Sequence, residues 1–170
     1  MNVEQGSPTP VPLASGQFAG RDAFARLVRD AFAGAARDGW PEIILSDATF
    51  EDWPLRERVV VESLQAWGKS GRRLVMLATS YTEVVRLHPR FVAWRKTWGH
   101  IVESRLCRGA SPADFPSVIW SPSWYMRRLD LQRSTGVCGS DRDYSRQIKE
   151  LLDENLRNSS AGLNVSVLGL

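Results

Sequence analysis

Ser46, Asp47 and Ser80 each follow a short apolar run, which would place them just past the ends of strands. An open parallel sheet gathers ligands at that edge, so Asp47 is a candidate general base or metal ligand, with both serines beside it. The competing role is turn and capping chemistry, because Asp and Ser hydrogen-bond their own backbone in loops. One carboxylate with no second acid or histidine at a useful spacing supplies little acid–base chemistry. The two histidines, His88 beside a proline and His100 on a tryptophan-rich segment, could join a hydrolytic site only through long-range contacts.

Familiar catalytic patterns are interrupted at definite positions. No G-x-S-x-G pentapeptide presents a serine nucleophile. Gly68-Lys69-Ser70 has the end of a phosphate loop, but Ser63 stands where the earlier glycine is required, and the tripeptide precedes a strand instead of a helix. Cys107 and Cys138 form no CxxC and have no histidine at ligand spacing, so no metal or cofactor is predicted.

Two basic, aromatic stretches offer binding chemistry instead. Trp94 and Trp98 lie one helical turn apart among Arg90, Arg95, Lys96 and His100, a mixture that can stack bases and hold phosphates. The same spacing also suits a helix whose indoles face a sheet and whose charges face water. Trp124-Tyr125-Met126-Arg127-Arg128, with Arg133 nearby, would suit an anion or, in preference, a partner subunit, because aromatics, Met and Arg are enriched at interfaces. The net charge is only +3, yet the span Arg86–Arg133 carries nine basic residues against three acidic ones, more than the whole excess.

The elements that must position these groups follow from apolar periodicity. Met1–Gly16 is poor in large apolar side chains and reads as a disordered tail ahead of one domain over 17–170. Phe24, Leu27, Val28, Ala31, Phe32 and Ala35 stripe a helix that stops near Gly39. Ile43-Ile44-Leu45 is a buried strand, and Asp52-Trp53-Pro54 opens a helix striped by Val60, Leu64 and Trp67. Leu74–Ala78 is a second strand, parallel to the first through a right-handed crossover. Ser80 to Glu83 is a capping box for a short helix. A longer helix runs from Pro89 to Cys107, Val118–Trp120 is a third strand, and short strands follow at 129–131 and 136–138. A last helix carries Ile148, Leu151, Leu152 and Leu156 behind a cap at Asp141 or Asp143, and Leu163, Val165 and Val167 alternate as a closing edge strand. The predicted fold is α/β, a mixed, mainly parallel sheet flanked by helices in three layers.

Glu42–Phe50 with Asp52-Trp53-Pro54-Leu55, Gly71-Arg72-Arg73-Leu74-Val75-Met76-Leu77, and His88-Pro89-Arg90-Phe91 with Trp94, Arg95 and Trp98 resemble a family of short uncharacterised proteobacterial proteins. That family in turn resembles one half of a phospholipase D-like domain, whose enzymes use H-x-K-x(4)-D. Arg90 and Val102 stand where each histidine would need its lysine, and Val118–Trp124, where the motif's strand would fall, holds neither His nor Lys. The resemblance therefore implies the fold without the catalytic residues.

The leading expectation is a non-catalytic interaction or scaffold domain, self-associating as a homodimer. Binding of nucleic acid or another phosphorylated ligand through the basic stretch, and a hydrolase at the strand ends, are the alternatives. The thiols and the lack of an apolar leader or spanning segment suit a cytoplasmic protein with no membrane partner.

Overall fold

A computed structural model describes residues 12–163. Its centre is one eight-stranded sheet in the order β1-β7-β6-β5-β2-β3-β4-β8. The strands are β1 (Gly16–Ala19), β2 (Glu42–Ser46), β3 (Arg73–Ala78), β4 (Val102–Leu106), β5 (Ser117–Trp120), β6 (Tyr125–Asp130), β7 (Thr135–Gly139) and β8 (Ser160–Ala161). The helices are α1 (Arg21–Asp38), α2 (Arg58–Trp67), α3 (Thr82–Leu87), α4 (Pro89–Thr97) and α5 (Arg142–Arg157).

The expected mixed α/β sheet in three layers is present. Because side chains alternate along a strand, β2 sends Ile43 and Leu45 to one face and Ile44 to the other. The first face packs on α1 to α4 through Phe24, Phe32, Leu64, Trp67 and Phe91. The second packs on α5 through Ile148 and Leu152. The Trp67 indole N–H donates to the Trp40 carbonyl at 2.7 Å, tying α2 to the end of α1. Gly39, at φ 67°, closes α1 in the left-handed conformation that glycine adopts without steric cost.

Only β2–β3 and β3–β4 pair in parallel, while β5, β6, β7 and both edge strands pair antiparallel, so the mainly parallel sheet expected from the crossover is corrected. Val118–Trp120 runs against β2, placing Trp120 opposite Ile44.

Other elements also differ from expectation. The predicted tail is ordered from Pro12, with Leu13 packed on the core and Gly16 paired to Cys138. Asp52-Trp53-Pro54 lies in turns, and α2 begins at Arg58, because the Asp52 carboxylate is drawn into a tertiary ion pair. The predicted helix over Pro89–Cys107 stops at Thr97, and Val102–Leu106 becomes β4 alongside β3. Tyr81, not Ser80, is the residue that precedes α3; the Ser80 hydroxyl accepts from Thr82 N at 3.3 Å as a local turn. Asp141 caps α5 as expected, accepting from Tyr144 N at 2.8 Å. Of the closing strand, Val165 and Val167 lie outside the described residues.

Candidate nucleic-acid interface

Most of the residues singled out in the sequence are committed to the fold. Ser46 is buried and donates to the Pro116 carbonyl at 2.8 Å. Asp47 is buried too; one oxygen accepts from Phe50 N and Thr49 N, and the other from Arg128 at 3.1 Å. Arg128 is 5% exposed and all five of its N–H groups have partners. Nε meets Ser117 Oγ, Nη1 meets Asp52 and Ser134 Oγ, and Nη2 meets Asp47 and Asp52. The guanidinium also lies 4.0 Å from the Phe24 ring centroid. With every donor used, this arginine locks β6 to the loop after β2 and has nothing left for a ligand.

The same holds for Trp124, which is 4% exposed, stacks on Trp40 at 6.3 Å and donates its indole N–H to Ala14 O. The expectation that Trp124 and Arg128 anchor a partner is therefore corrected: both are interior. Arg127 points to the opposite sheet face from Arg128, and Arg133 sits in the β6–β7 turn with its N–H on Asp130, so the three arginines do not converge. Arg95 is likewise buried, donating to Ser104 Oγ and the Leu163 carbonyl, and burial lowers its pKa. Arg90, Lys96 and His100 are exposed, but Trp94 faces the core, and no single patch gathers the Arg86–Arg133 cations.

The strand-end hydrolase is not assembled either. The His88 Nε2 lies 2.7 Å from the Phe50 carbonyl, so it carries the proton and donates. The buried Nδ1 has no partner among the described residues, and burial, aided by Arg56, holds the imidazole pKa below its ordinary value. His100 precedes β4 at the opposite end of the sheet from Ser46, Asp47 and Ser80. Among the described residues there is no group of three or more His, Cys, Asp or Glu able to hold a metal.

An open, charged cleft lies elsewhere. β5 turns into β6 through Ser121–Trp124, where the Ser121 hydroxyl accepts from Trp124 N at 3.0 Å. Trp120 closes β5 and donates its indole N–H to Ser145 Oγ at 3.0 Å, pinning the first turns of α5 beside this turn. Between them is a cleft of about 650 Å³ containing Ser123, Ser140, Arg142, Arg146 and Lys149. The three cations recur at steps of four and three on α5, about 100° round the helix from the buried Ile148 and Leu152, so they project as one row.

Glu150 and Asp153 also line the cleft, and Lys149 pairs with Asp153 at 2.6 Å while sitting 5.4 Å from the Trp120 ring centroid. Arg146 pairs with Asp143, but those side chains are 69% and 80% exposed, where an ion pair contributes little and yields readily to another anion. Arg142 forms no ion pair among the described residues. A row of arginine and lysine with interleaved hydroxyls is chemistry suited to successive phosphates.

Beside it, sharing Ser140, lies a second cavity of about 560 Å³ walled by Tyr125, Val137 and Tyr144. The two tyrosine rings are 5.0 Å apart at 46°. Burial first, and then the nearby Asp141 charge, raise the Tyr125 pKa, so its phenol is neutral and a hydrogen-bonding group only. Sequence reasoning missed Arg142, Tyr144, Arg146 and Lys149. The three cations were present as polar positions beside the α5 apolar stripe, whereas Tyr144 packs against the core that the stripe forms.

The helix and strand order is that of a mixed α/β sheet with four helices on one face and one on the other. Two solved structures share it. TrmBL2, described as an archaeal chromatin protein with a novel mode of DNA binding, matches with a TM-score of 0.62 and 16% identity over 91% of this chain. This chain spans only 56% of the TrmBL2 chain. NucT from Helicobacter pylori matches with a TM-score of 0.60 and 8% identity over 88% of this chain and 99% of its own. At these identities the likeness establishes the fold. No protein-family model and no curated protein matches the chain.

Proposed function

We propose that this chain is a non-catalytic phospholipase D-like domain that holds nucleic acid by its phosphates in the cleft between the β5–β6 turn and α5. One observation carries the reading. Trp120, Pro122 and Ser123, from the Val118–Trp124 stretch where the catalytic motif's strand would fall, line this cleft, and with them stand arginine, lysine, serine and two acids but no histidine. Such a site can bind a phosphodiester but lacks the nucleophile that would cleave it. The DNA binding described for TrmBL2 supports the same direction.

Fluorescence anisotropy with labelled single-stranded and duplex oligonucleotides tests it. Binding should be present near 50 mM salt and fall steeply toward 200 mM, because each neutralised phosphate releases counterions. The oligonucleotide should remain intact. No binding at the lower salt, or cleavage of the strand, would remove the proposal.

Self-association is a second reading, favoured by an open part of the sheet. On the face that α5 covers, Gln17, Val137 and Arg127 lie in one row across β1, β7 and β6, outside the α5 core. Leu129 on β6 is 60% exposed. A homodimer joined through this face, working in the cytoplasm, should appear in light scattering and dissociate on Leu129→Glu. A monomer at all concentrations would set this reading aside.

A further inference from the structure

We infer that the nucleic acid taken by this cleft is a single strand, with one unstacked base seated against Tyr144 and Tyr125 and the following phosphates on Arg142, Arg146 and Lys149. The inference rests on the proposed phosphate site and names the form of its ligand. The cavity beside that site is of the size that holds a small planar group, about 560 Å³. It is lined by the aromatic and aliphatic Tyr125, Tyr144 and Val137, by the polar Gln17 and Ser140, and by Asp141, whose carboxylate caps α5 and would keep a phosphate out of this cavity.

No lysine or arginine lines this cavity, whereas all three cations of the cleft lie on the other side of Ser140. The partition matches the two halves of a nucleotide, an apolar π-face and an anionic backbone. Along α5, Arg142 to Arg146 rises about 6 Å and Arg146 to Lys149 about 4.5 Å. Those steps suit successive phosphates of one extended strand. In a duplex the bases are stacked inside and only their edges reach the grooves, so none can enter an aromatic-walled cavity without being unpaired. A base that is already unpaired avoids that penalty and stacks on a side-chain ring regardless of sequence.

Tyr144 is the residue on which the test turns. It is half-buried in the first turn of α5 and supplies the backbone N–H that Asp141 caps, a hydrogen bond that any residue except proline at that position keeps. The probes are labelled oligothymidine and oligouridine of about ten nucleotides, an abasic deoxyribose-phosphate strand of equal length, and the matching duplex. The intact strands should bind more tightly than the abasic strand and the duplex. Tyr144→Ala should weaken the intact strands by about fivefold to a hundredfold, the range for removing one base–aromatic stack, and leave the abasic strand unchanged. Tyr144→Phe should retain the affinity, which separates stacking from any role of the hydroxyl. Oligothymidine against oligouridine then tells whether DNA or RNA is preferred.

If intact, abasic and duplex probes bind alike, with affinity still falling with salt, the phosphate site stands and the single-strand inference is overturned. If none of the probes binds, both fall together.

Discussion

Two arginine-bearing regions of this molecule use the same side chain for opposite ends. Around Arg128, a guanidinium faces Asp47, Asp52, Ser117 and Ser134, and its side chain is only 2% exposed. On α5, Arg142 and Arg146 stand in solvent beside a cleft, one without an ion pair among the described residues and one in an exposed pair. Burial makes the first set part of the architecture, since removing Arg128 strands the Asp47 carboxylate without solvent or counter-charge. Exposure makes the second set dispensable for the fold and available to a ligand. Residue type alone tells neither role from the other; the acceptors already satisfied do.

The difference can be broken most visibly from the buried side. Arg128→Ala leaves Asp47 buried beside a void and should cost about 3–5 kcal/mol in chemical denaturation. A decrease under about 1 kcal/mol, the range of exposed pairs, would show that the cluster is not the lock described here.

Gly136 tests the same strand pairing from the neighbouring strand. A Cβ there would meet the Arg127 carbonyl oxygen at 2.0 Å, and backbone cannot swing aside as a side chain can. Gly136→Ala should therefore destabilise β6–β7 by about 1–3 kcal/mol, the scale of an overpacked site, seen as a lower thermal midpoint. An unchanged midpoint would mean that the strands separate without penalty.

His88 sharpens the contrast between buried and exposed titratable groups. Its folded pKa lies below the ordinary 6.5, so the unfolded chain binds the proton more readily. The sign follows: the folded state loses stability as pH falls below about 6.5, toward the depressed folded value, and gains nothing further above it. The slope contributed is at most about 1.4 kcal/mol per pH unit. His88→Gln, whose amide can still donate to the Phe50 carbonyl, should flatten stability against pH over that window; an unaltered slope would assign the acid sensitivity to other groups.

The smallest effect on the fold is expected in the cleft. Arg142→Glu, Arg146→Glu and Lys149→Glu should each change stability by about 0.5 kcal/mol or less, as surface substitutions do, while the three together remove the proposed binding row.

Much of the scaffold was legible in local pattern. The α1 stripe, the apolar runs of β2 and β3, the glycine that ends α1 and the Asp141 cap are all stated by residues a few positions apart. What escaped was decided across the chain. Val102–Leu106 continues the three- and four-residue spacing of the preceding tryptophans, yet β3 offers it hydrogen bonds that turn it into a strand after the Gly99-His100 break. Asp52 before Pro54 has the local form of a helix cap, but its carboxylate belongs to Arg128, 76 residues away. The candidate site was less legible for the same reason. Basic residues clustered in sequence between Arg86 and Arg133 are distributed over opposite faces and both ends of the sheet, whereas the cleft cations come from one later helix facing a turn it never adjoins in sequence.

That the α5 row holds nucleic-acid phosphates is tested most directly by the slope of log affinity against log salt for the wild type and the Arg142→Glu, Arg146→Glu, Lys149→Glu variant. The wild type should give a steep negative slope, and the variant a slope shallower by about 0.7 to 0.9 for each phosphate it no longer neutralises, with far weaker binding throughout. Equal slopes and affinities for the two proteins would contradict the assignment and place any nucleic-acid binding on another surface.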